Sequence, residues 1–587
     1  MYRLLLIAVF LPLVGALGLA GNRESARRWA LVTTLLTLGV AAVLVGWYPG
    51  GTEEFARTPD PWSNWIQAPV NIHLCLALDG LSVWLFGLTA LLMVTAVLVS
   101  WEAIEEQASK YYRLLLILET GMLGVFVARD IILFYVFFEF TLIPLFFLIG
   151  MWGSEQRRYA AIKFFLFTLA GSVLTFLGLL AIVLWDYYHS PVGRMTFSIP
   201  ELTHQLAFRP ITPAVQIGIF LALFARFAIK VPLFPLHTWL PLAHTEAPTA
   251  GSVILAGVLL KVGTYGFVRF SLPMLPQATA TLMPYLLWLS VAGIVYGALV
   301  ALAQSDIKRL IAYSSVSHLG FCMLGVFALN RLAMHGGVLQ MVNHGLSTGG
   351  LFAVVGMLYE RYHTRRIADL GGLARRTPVL AFFMVVLTLA SIGLPGLNGF
   401  AGEFLLLVGM IQRAWVEGAA HYWAIGVLAV SGVVLGAWYM LYLVQRVFFG
   451  PVREPQRHGE GSPVRDLNVR EVLALAPLVV FIVWIGVQPR FFLDRMSGTL
   501  NEVTDRVARA ARQQALVSGT PSPSLARTAA EGGPVAAESD DGVIPSTASP
   551  SPAQSVTPSP APSSSDGRPP SSLRFQDPGS VTRTNHE

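Results

Sequence analysis

Apolar runs of about 20 residues, the length that crosses a bilayer, recur along this chain with short connections between them, from the N terminus to about Val487. Fourteen such runs can be counted. In hydrocarbon a spanning segment has to satisfy its own backbone N–H and C=O groups, so runs of this length fold as helices. The reading is an all-α polytopic membrane protein with about 14 transmembrane helices. Composition agrees, because 54% of the 587 residues are hydrophobic and only 13% are charged, against roughly 25% charged in a soluble domain. The two cysteines, Cys75 and Cys322, lie far apart and join no CxxC or Cys/His cluster. That argues against a disulfide framework, a zinc site or an iron–sulfur cluster. The basic residues sit in short connections rather than on one face, so the formal charge of +6 gives no ground for nucleic-acid binding.

The first run, Leu4 to Ala20, has only Arg3 before it and Arg23, Arg27 and Arg28 after it. This is the reverse of a secretory signal, and the run is read as a retained helix. Lys and Arg collect in the odd-numbered connections, such as the one with Arg361, Arg365, Arg366, Arg375 and Arg376, while the even-numbered ones hold isolated residues such as Arg57, Arg194 and Arg331. By the positive-inside rule the odd connections are cytoplasmic and both termini lie on the other side. Trp47, Trp62 and Trp65, in the loop after the second run, suit an interfacial aromatic belt.

Polar residues inside the apolar runs carry the functional signal. Lys230 ends the seventh run, which Pro232, Pro235 and Pro241 then break, and Lys261 lies well inside the eighth. A lysine at the centre of a spanning helix costs about 2.5–3.5 kcal/mol on insertion scales, so two of them beside a broken helix mark a pathway by default. Proline frees backbone carbonyls, which at membrane depth only protein or a hydrated cavity can receive. The fifth run carries Glu139 near its middle, with Pro144 just beyond, and the fourth carries Glu119. His237, in the broken segment, has the right chemistry for proton relay near neutral pH, and it serves equally as a cap for broken-helix carbonyls. His318, beside Ser314, Ser315 and Ser317, and His344, beside Asn343, Ser347 and Thr348, put polar stripes into runs ten and eleven. Together they favour a hydrated relay over isolated helix–helix hydrogen bonds.

The twelfth run is interrupted at Gly393, Pro395, Gly396 and Asn398 and carries Glu403 just past the break. Two broken helices five runs apart, each with an ionisable residue at the break, point to structural repeats with a site at their interface. Runs four to eight and nine to thirteen form the repeats, and an odd number of spans makes them inverted. The expected organisation is 1–70 for two helices and a loop, 71–109 for the third helix, 110–272 and 273–450 for the two five-helix repeats, 451–489 for a loop and the last helix, and 490–587 for a polar, mostly disordered tail. A short surface helix at Arg490 to Ala515 opens that tail.

The runs FYVFFEFTLIPLFFLIGMWG, KVPLFPLHTWLPLAHTEAPTAGSVILAGVLLKVGTYGF, DIKRLIAYSSVSHLGF and GLPGLNGFAGEF resemble the antiporter-like subunits of respiratory complex I, over about residues 70 to 450. The resemblance implies a proton-translocating membrane-arm subunit of NADH:quinone oxidoreductase. On this reading Glu139 and Lys230 form the charged pair of a first half-channel, Lys261 is the central proton carrier, and Glu403 exchanges protons toward the far side. His237, His318 and His344 line the hydrated axis. The resemblance implies no redox centre on this chain, with NAD, FMN, iron–sulfur clusters and quinone elsewhere in the complex. Its implied partners are the other membrane subunits, above all two further antiporter-like ones, in the lipid bilayer of a bacterial inner membrane. The alternative is a subunit of a cation/proton antiporter or a membrane-bound hydrogenase; the glutamate at Glu403, where other branches of the family carry lysine, favours complex I. One departure stands out: the family's usual PDAH reads Pro241-Leu242-Ala243-His244 here.

Overall fold

A computed structural model describes residues 1–518 except 60–63, 67–70, 192 and 456–463. Trp62, Arg457 and the Pro- and Ser-rich tail from Gly519 lie outside the described residues. In chain order the helices are α1 (Tyr2–Gly18), α2 (Arg23–Trp47), α3 (Val83–Val99), α4 (Ala108–Val127), α5 (Ile131–Trp152, interrupted at Thr141), α6 (Arg157–His189), α7 (Ile199–Phe208), α8 (Pro213–Lys230) and α9 (Trp239–Glu246). There follow α10 (Thr249–Met274), α11 (Pro276–Leu302), α12 (Ile307–Phe327), α13 (Arg331–Tyr362), α14 (Pro378–Ser391), α15 (Asn398–Glu417), α16 (Ala420–Phe448), α17 (Val469–Val487) and α18 (Pro489–Ser518). Among the described residues, 11 helices are long and apolar enough to cross a membrane. The shorter α1, α3 and α14 are apolar too. A small antiparallel hairpin, Asn64–Ile66 with Ile72–His73, lies in the loop after α2. Trp47 and Trp65 are exposed, as an interfacial belt requires.

Asn and Asp start the helices where the chain enters the apolar layer. Asn22 accepts from Ser25 N, Asp130 from Ile132 N and Leu133 N, Asp306 from Arg309 N and Asn330 from Ala333 N. Each satisfies orphan N–H groups of a first turn. The central helices α10, α12 and α13 are buried nearly all round, whereas α2, α16 and α17 show one face outward. The bundle therefore has a protein-enclosed middle in which polar side chains are shielded from lipid. Small residues bring its helices into backbone contact. A Cβ on Gly336 of α13 would lie 2.4 Å from Leu406 N of α15, and one on Gly263 of α10 would lie 2.7 Å from Phe227 O of α8.

Both interruptions fall where the prolines and glycines put them. α8 stops at Lys230 and α9 starts at Trp239, while α14 stops at Ser391 and α15 starts at Asn398. Protein groups brace both breaks: the Trp239 indole donates to Ile229 O, freed at the end of α8, at 2.9 Å, and the Asn343 amide donates to Asn398 O at the start of α15 at 2.8 Å. Gly393 and Gly396 adopt φ of 73° and 91°, which a residue with a Cβ adopts only under strain.

The helix expected at Arg490 to Ala515 is present, but it packs on the bundle where a surface helix was expected. α18 is 30 residues long. Phe492, Met496, Leu500 and Val507 are buried, at helical spacing. It ties loop ends together: Gly80 N donates to Thr499, the Trp84 indole to Phe492 O, and Arg331 pairs with Asp505 at 2.6 Å. Its polar face lowers its hydropathy, which is why an apolar-run reading does not show its buried stripe.

On the opposite side Arg361 joins three helices. Its two Nη atoms donate to both oxygens of Glu471 at 2.9 and 2.6 Å, and Nε donates to Arg465 O at 2.9 Å. Glu471 also completes a capping box with Asn468 at the start of α17, and the neighbouring Asp466 accepts from Val379 N and Leu380 N of α14. Removing one partner of a buried ion pair costs about 3–5 kcal/mol because the other charge is stranded. Arg361→Ala is thus expected to lower the melting temperature of the purified assembly by several degrees, with Arg361→Lys restoring only part because the bidentate fork is lost. Differential scanning fluorimetry reads the result.

Candidate proton-transfer axis

Six of the residues singled out in the sequence, Glu139, Lys230, Lys261, His318, His344 and Glu403, fall into two groups. In the first, α5 positions Glu139 two residues before its break, and α8 brings Arg226 and Lys230 to the same place. Glu139 Oε1 accepts from Arg226 Nη2 at 3.0 Å and from the Ser172 hydroxyl. The expected partner was Lys230, and it is Arg226 that occupies the carboxylate. Lys230 Nζ is fully buried and has no hydrogen-bond partner among the described residues. It faces aromatic rings instead, 5.7 Å from the centroids of both Phe138 and Phe164, and the Arg226 guanidinium lies 4.5 Å from the same Phe138 ring. Cation–π attraction offsets part of the desolvation of each. Arg226 stands four residues before Lys230, on the same helix face. As an intramembrane charge it was detectable by the rule that found Lys230.

The second group is a row of neighbouring side chains, joined at hydrogen-bond or ion-pair distance at every step except His344 to His318, where His344 Nε2 has no partner among the described residues. Two π-helical turns, Leu255–Leu259 and Phe267–Ser271, flank Lys261 in α10, and such bulges free backbone carbonyls and recur at functional sites. One of those carbonyls, Ala256 O, accepts from Lys261 Nζ. Nζ also lies 2.6 Å from His344 Nδ1. The His344 and His318 rings are 5.7 Å apart between centroids. His318 Nδ1 is 3.4 Å from Glu403 Oε1, its Nε2 is 3.2 Å from Ser391 Oγ, and Gln340 donates to the same Glu403 oxygen at 2.9 Å. Lys261, His344, His318 and Glu403 therefore form one line through α10, α13, α12 and α15. All four are buried. Gln340 and Ser391 were not read from the sequence, since uncharged polar residues give no cost signal of their own.

His237 is buried among rings, 5.1 Å from Tyr296 and 5.9 Å from Phe234. No hydrogen bond or ion pair given by the structure joins it, or Lys230, to Lys261. Glu119 is fully buried, and neither of its oxygens has a hydrogen-bond partner among the described residues. His244 shares that condition: both ring nitrogens are unpartnered and the ring stacks on Phe352 at 4.5 Å. Leu242, at the family's usual acidic position, is half-buried against the apolar core. Among the described residues no group of three or more His, Cys, Asp or Glu is placed to hold a metal ion. Cys75 and Cys322 are free.

A third charged cluster went unread. Asp79, just before α3, accepts both Nη atoms of Arg269 at 2.6 and 2.9 Å and Arg129 Nη2 at 3.0 Å. Burial pushes the Asp79 carboxyl up, but Arg129 and Arg269 outweigh it and hold the group well below the usual carboxylate range. In sequence Asp79 and Arg129 sit at the ends of apolar runs, where charges are ordinary and give no signal.

The family pattern described as NADH:quinone oxidoreductase/Mrp antiporter, TM, matches residues 128–430, which contain both groups of the axis. The chain belongs to this family. Subunit M of NADH-quinone oxidoreductase from Rhodobacter capsulatus is 43% identical over 505 residues, covering 84% of this chain and 95% of that protein. Chain 4 of NADH-ubiquinone oxidoreductase from Arabidopsis thaliana is 43% identical over 474 residues, covering 81% and 90%. The chain is a homologue of subunit M and chain 4. A chain of respiratory complex I from Thermus thermophilus superposes with a TM-score of 0.74 at 34% identity, covering 86% of this chain and 99% of that one. A chain of the Mrp complex from Dietzia sp. superposes at 0.72 with 21% identity, covering 87% and 99%. That last likeness carries the fold alone. With these relatives the fold is that of the antiporter-like family: an all-α, multi-pass membrane protein.

Proposed function

We propose that the chain is a proton-translocating membrane-arm subunit of an NADH:quinone oxidoreductase, working beside other antiporter-like subunits in the bilayer. The observation that carries this is the buried line Lys261, His344, His318, Glu403. A lysine at the centre of a membrane, within 2.6 Å of an imidazole nitrogen, can hand over a proton and take another. Each imidazole accepts at one nitrogen and releases from the other. Glu403 ends the line with a carboxylate that exchanges with water. Glu139, Arg226 and Lys230 form the loading side, where the approach of Lys230 to Glu139 alters how readily Lys261 holds its proton, since a nearby charge shifts proton affinity. The breaks at 231–238 and 392–397, in units 110–272 and 273–450, support two inverted five-helix repeats. The arginine-rich connections then face the cytoplasm and both termini the other side.

Inverted membrane vesicles carrying the assembled complex test the reading. NADH addition is expected to acidify the interior, as read by quench of an acridine dye, and a sodium gradient without NADH is expected to leave it unchanged. Acidification by sodium exchange alone, with no response to NADH, would replace the reading with a cation/proton antiporter.

A further inference from the structure

Beneath α18 lies a cavity of about 590 Å³, walled by Glu502 and Arg506 of that helix and by Glu54 of the loop after α2. Its lining also includes Asp79, Arg129 and Arg269, which are 2%, 4% and 9% exposed. The charged side chains at this inner end are paired with one another. Asp79 holds the Arg269 fork and Arg129, and Arg129 Nε lies 2.8 Å from Glu54. Arg269 Nε donates to the Tyr265 hydroxyl at 3.0 Å, and that hydroxyl donates to Phe126 O at 3.1 Å. Behind Arg269 the packing is aromatic. Tyr265 is fully buried against the Phe126 ring at 5.3 Å and near Phe134, which packs on Phe270 at 4.6 Å. Lys261 lies one helical turn before Tyr265 on α10.

This arrangement stands between the cavity and the central lysine. Arginine does not release its proton in proteins, and a carboxylate gripped by two guanidiniums has no free lone pair facing the cavity for a proton to take. A carrier open to both sides of the membrane at once would dissipate the gradient it builds, at about 1.4 kcal/mol for each pH unit. We propose that Arg269, held by Asp79 and backed by Tyr265, is a positioning residue that closes the first half of the chain toward the α18 side, so that a proton on Lys261 leaves only toward Glu403. The proposal rests on the relay reading above and adds the barrier that the relay needs.

The test measures passive proton entry into proteoliposomes holding the complete complex without NADH, driven by a potassium diffusion potential and read by an entrapped pH dye. Arg269→Ala leaves Asp79 paired with Arg129 and opens the floor of the cavity, so proton entry is expected to rise about tenfold, the effect of about 1.4 kcal/mol off a barrier. Arg269→Lys, which keeps the charge in place, is expected to stay near wild type. The double variant Arg269→Ala/Lys261→Ala is expected to return to the wild-type rate, which a merely loosened fold would not do. Phe134→Ala opens the aromatic layer without touching a charge, is expected to leak in the same Lys261-dependent way, and decides the matter if Arg269→Ala does not assemble. Wild-type tightness in the assembled Arg269→Ala and Phe134→Ala variants, or a leak that survives loss of Lys261, overturns the barrier. Normal NADH-driven pumping by Lys261→Ala alone overturns the relay instead, so the two failures are told apart.

Discussion

Lys261→Ala is expected to leave the complex assembled and turning over with NADH while cutting the proton gradient in inverted vesicles to below a tenth of wild type. The reasoning starts from what the side chain touches. Nζ bonds Ala256 O, freed by the π-helical turn, and lies 2.6 Å from His344 Nδ1. No other titratable group is given that contact with His344, so truncation removes the donor at the head of the line. Assembly survives because the removed group is an internal one, enclosed by helices that pack through glycines and apolar side chains. Lys261→Arg is the sharper control. It keeps a cation at the centre of the membrane but one that does not deprotonate, so it too is expected to assemble and fail to pump. A gradient near wild type in Lys261→Arg would mean that fixed charge, not proton carriage, is what the position supplies. A loss of tenfold or more with assembly intact corresponds to at least about 1.4 kcal/mol of barrier.

The places where this chain spends energy against its own fold were legible in the sequence. The prolines after Lys230 and the glycines after Ser391 end α8 and α14 where hydropathy alone would have run on. The buried Lys, Glu and His residues declared themselves by their cost in hydrocarbon. What could not be read is who meets whom. Lys261 finds His344 across 83 residues, Glu139 finds Arg226 across 87, and Asp79 finds Arg269 across 190. Those meetings depend on helix rotation and tertiary packing, to which local pattern is blind. Lys308 makes the same point from another side. In sequence it is one more basic residue between apolar runs, yet it is buried and donates to Ala247 O at 2.6 Å, capping the end of the broken segment. The buried face of α18 was not legible because its apolar stripe, Phe492 to Val507, is diluted by the charges between.

The Arg226 contact changes what the loading side is expected to do. With Arg226 at 3.0 Å from Glu139, the carboxylate is already neutralised and Lys230 is left against Phe138 and Phe164. Arg226→Gln removes that competitor. Lys230, one helical turn along the same face, then becomes the cation free to swing onto Glu139 and be held there. A lysine locked in an ion pair no longer alternates, so the pumping rate per NADH oxidised is expected to fall about tenfold while NADH oxidation by an artificial acceptor is unchanged. Adding Glu139→Gln takes away the trap. If locking is the cause, the double variant Arg226→Gln/Glu139→Gln pumps no worse than Glu139→Gln alone, a non-additivity that independent losses would not produce. Should Arg226→Gln pump as wild type with normal assembly, Arg226 only balances a buried charge, and the switching pair reverts to Glu139 and Lys230 as the sequence first suggested. Initial rates of dye quench, normalised to complex content on native gels, separate these outcomes. The structure favours the first, because Glu139 retains 22% side-chain exposure, room enough for its partner to be exchanged, while Arg226 and Lys230 are sealed on the inner side with no second carboxylate in contact among the described residues.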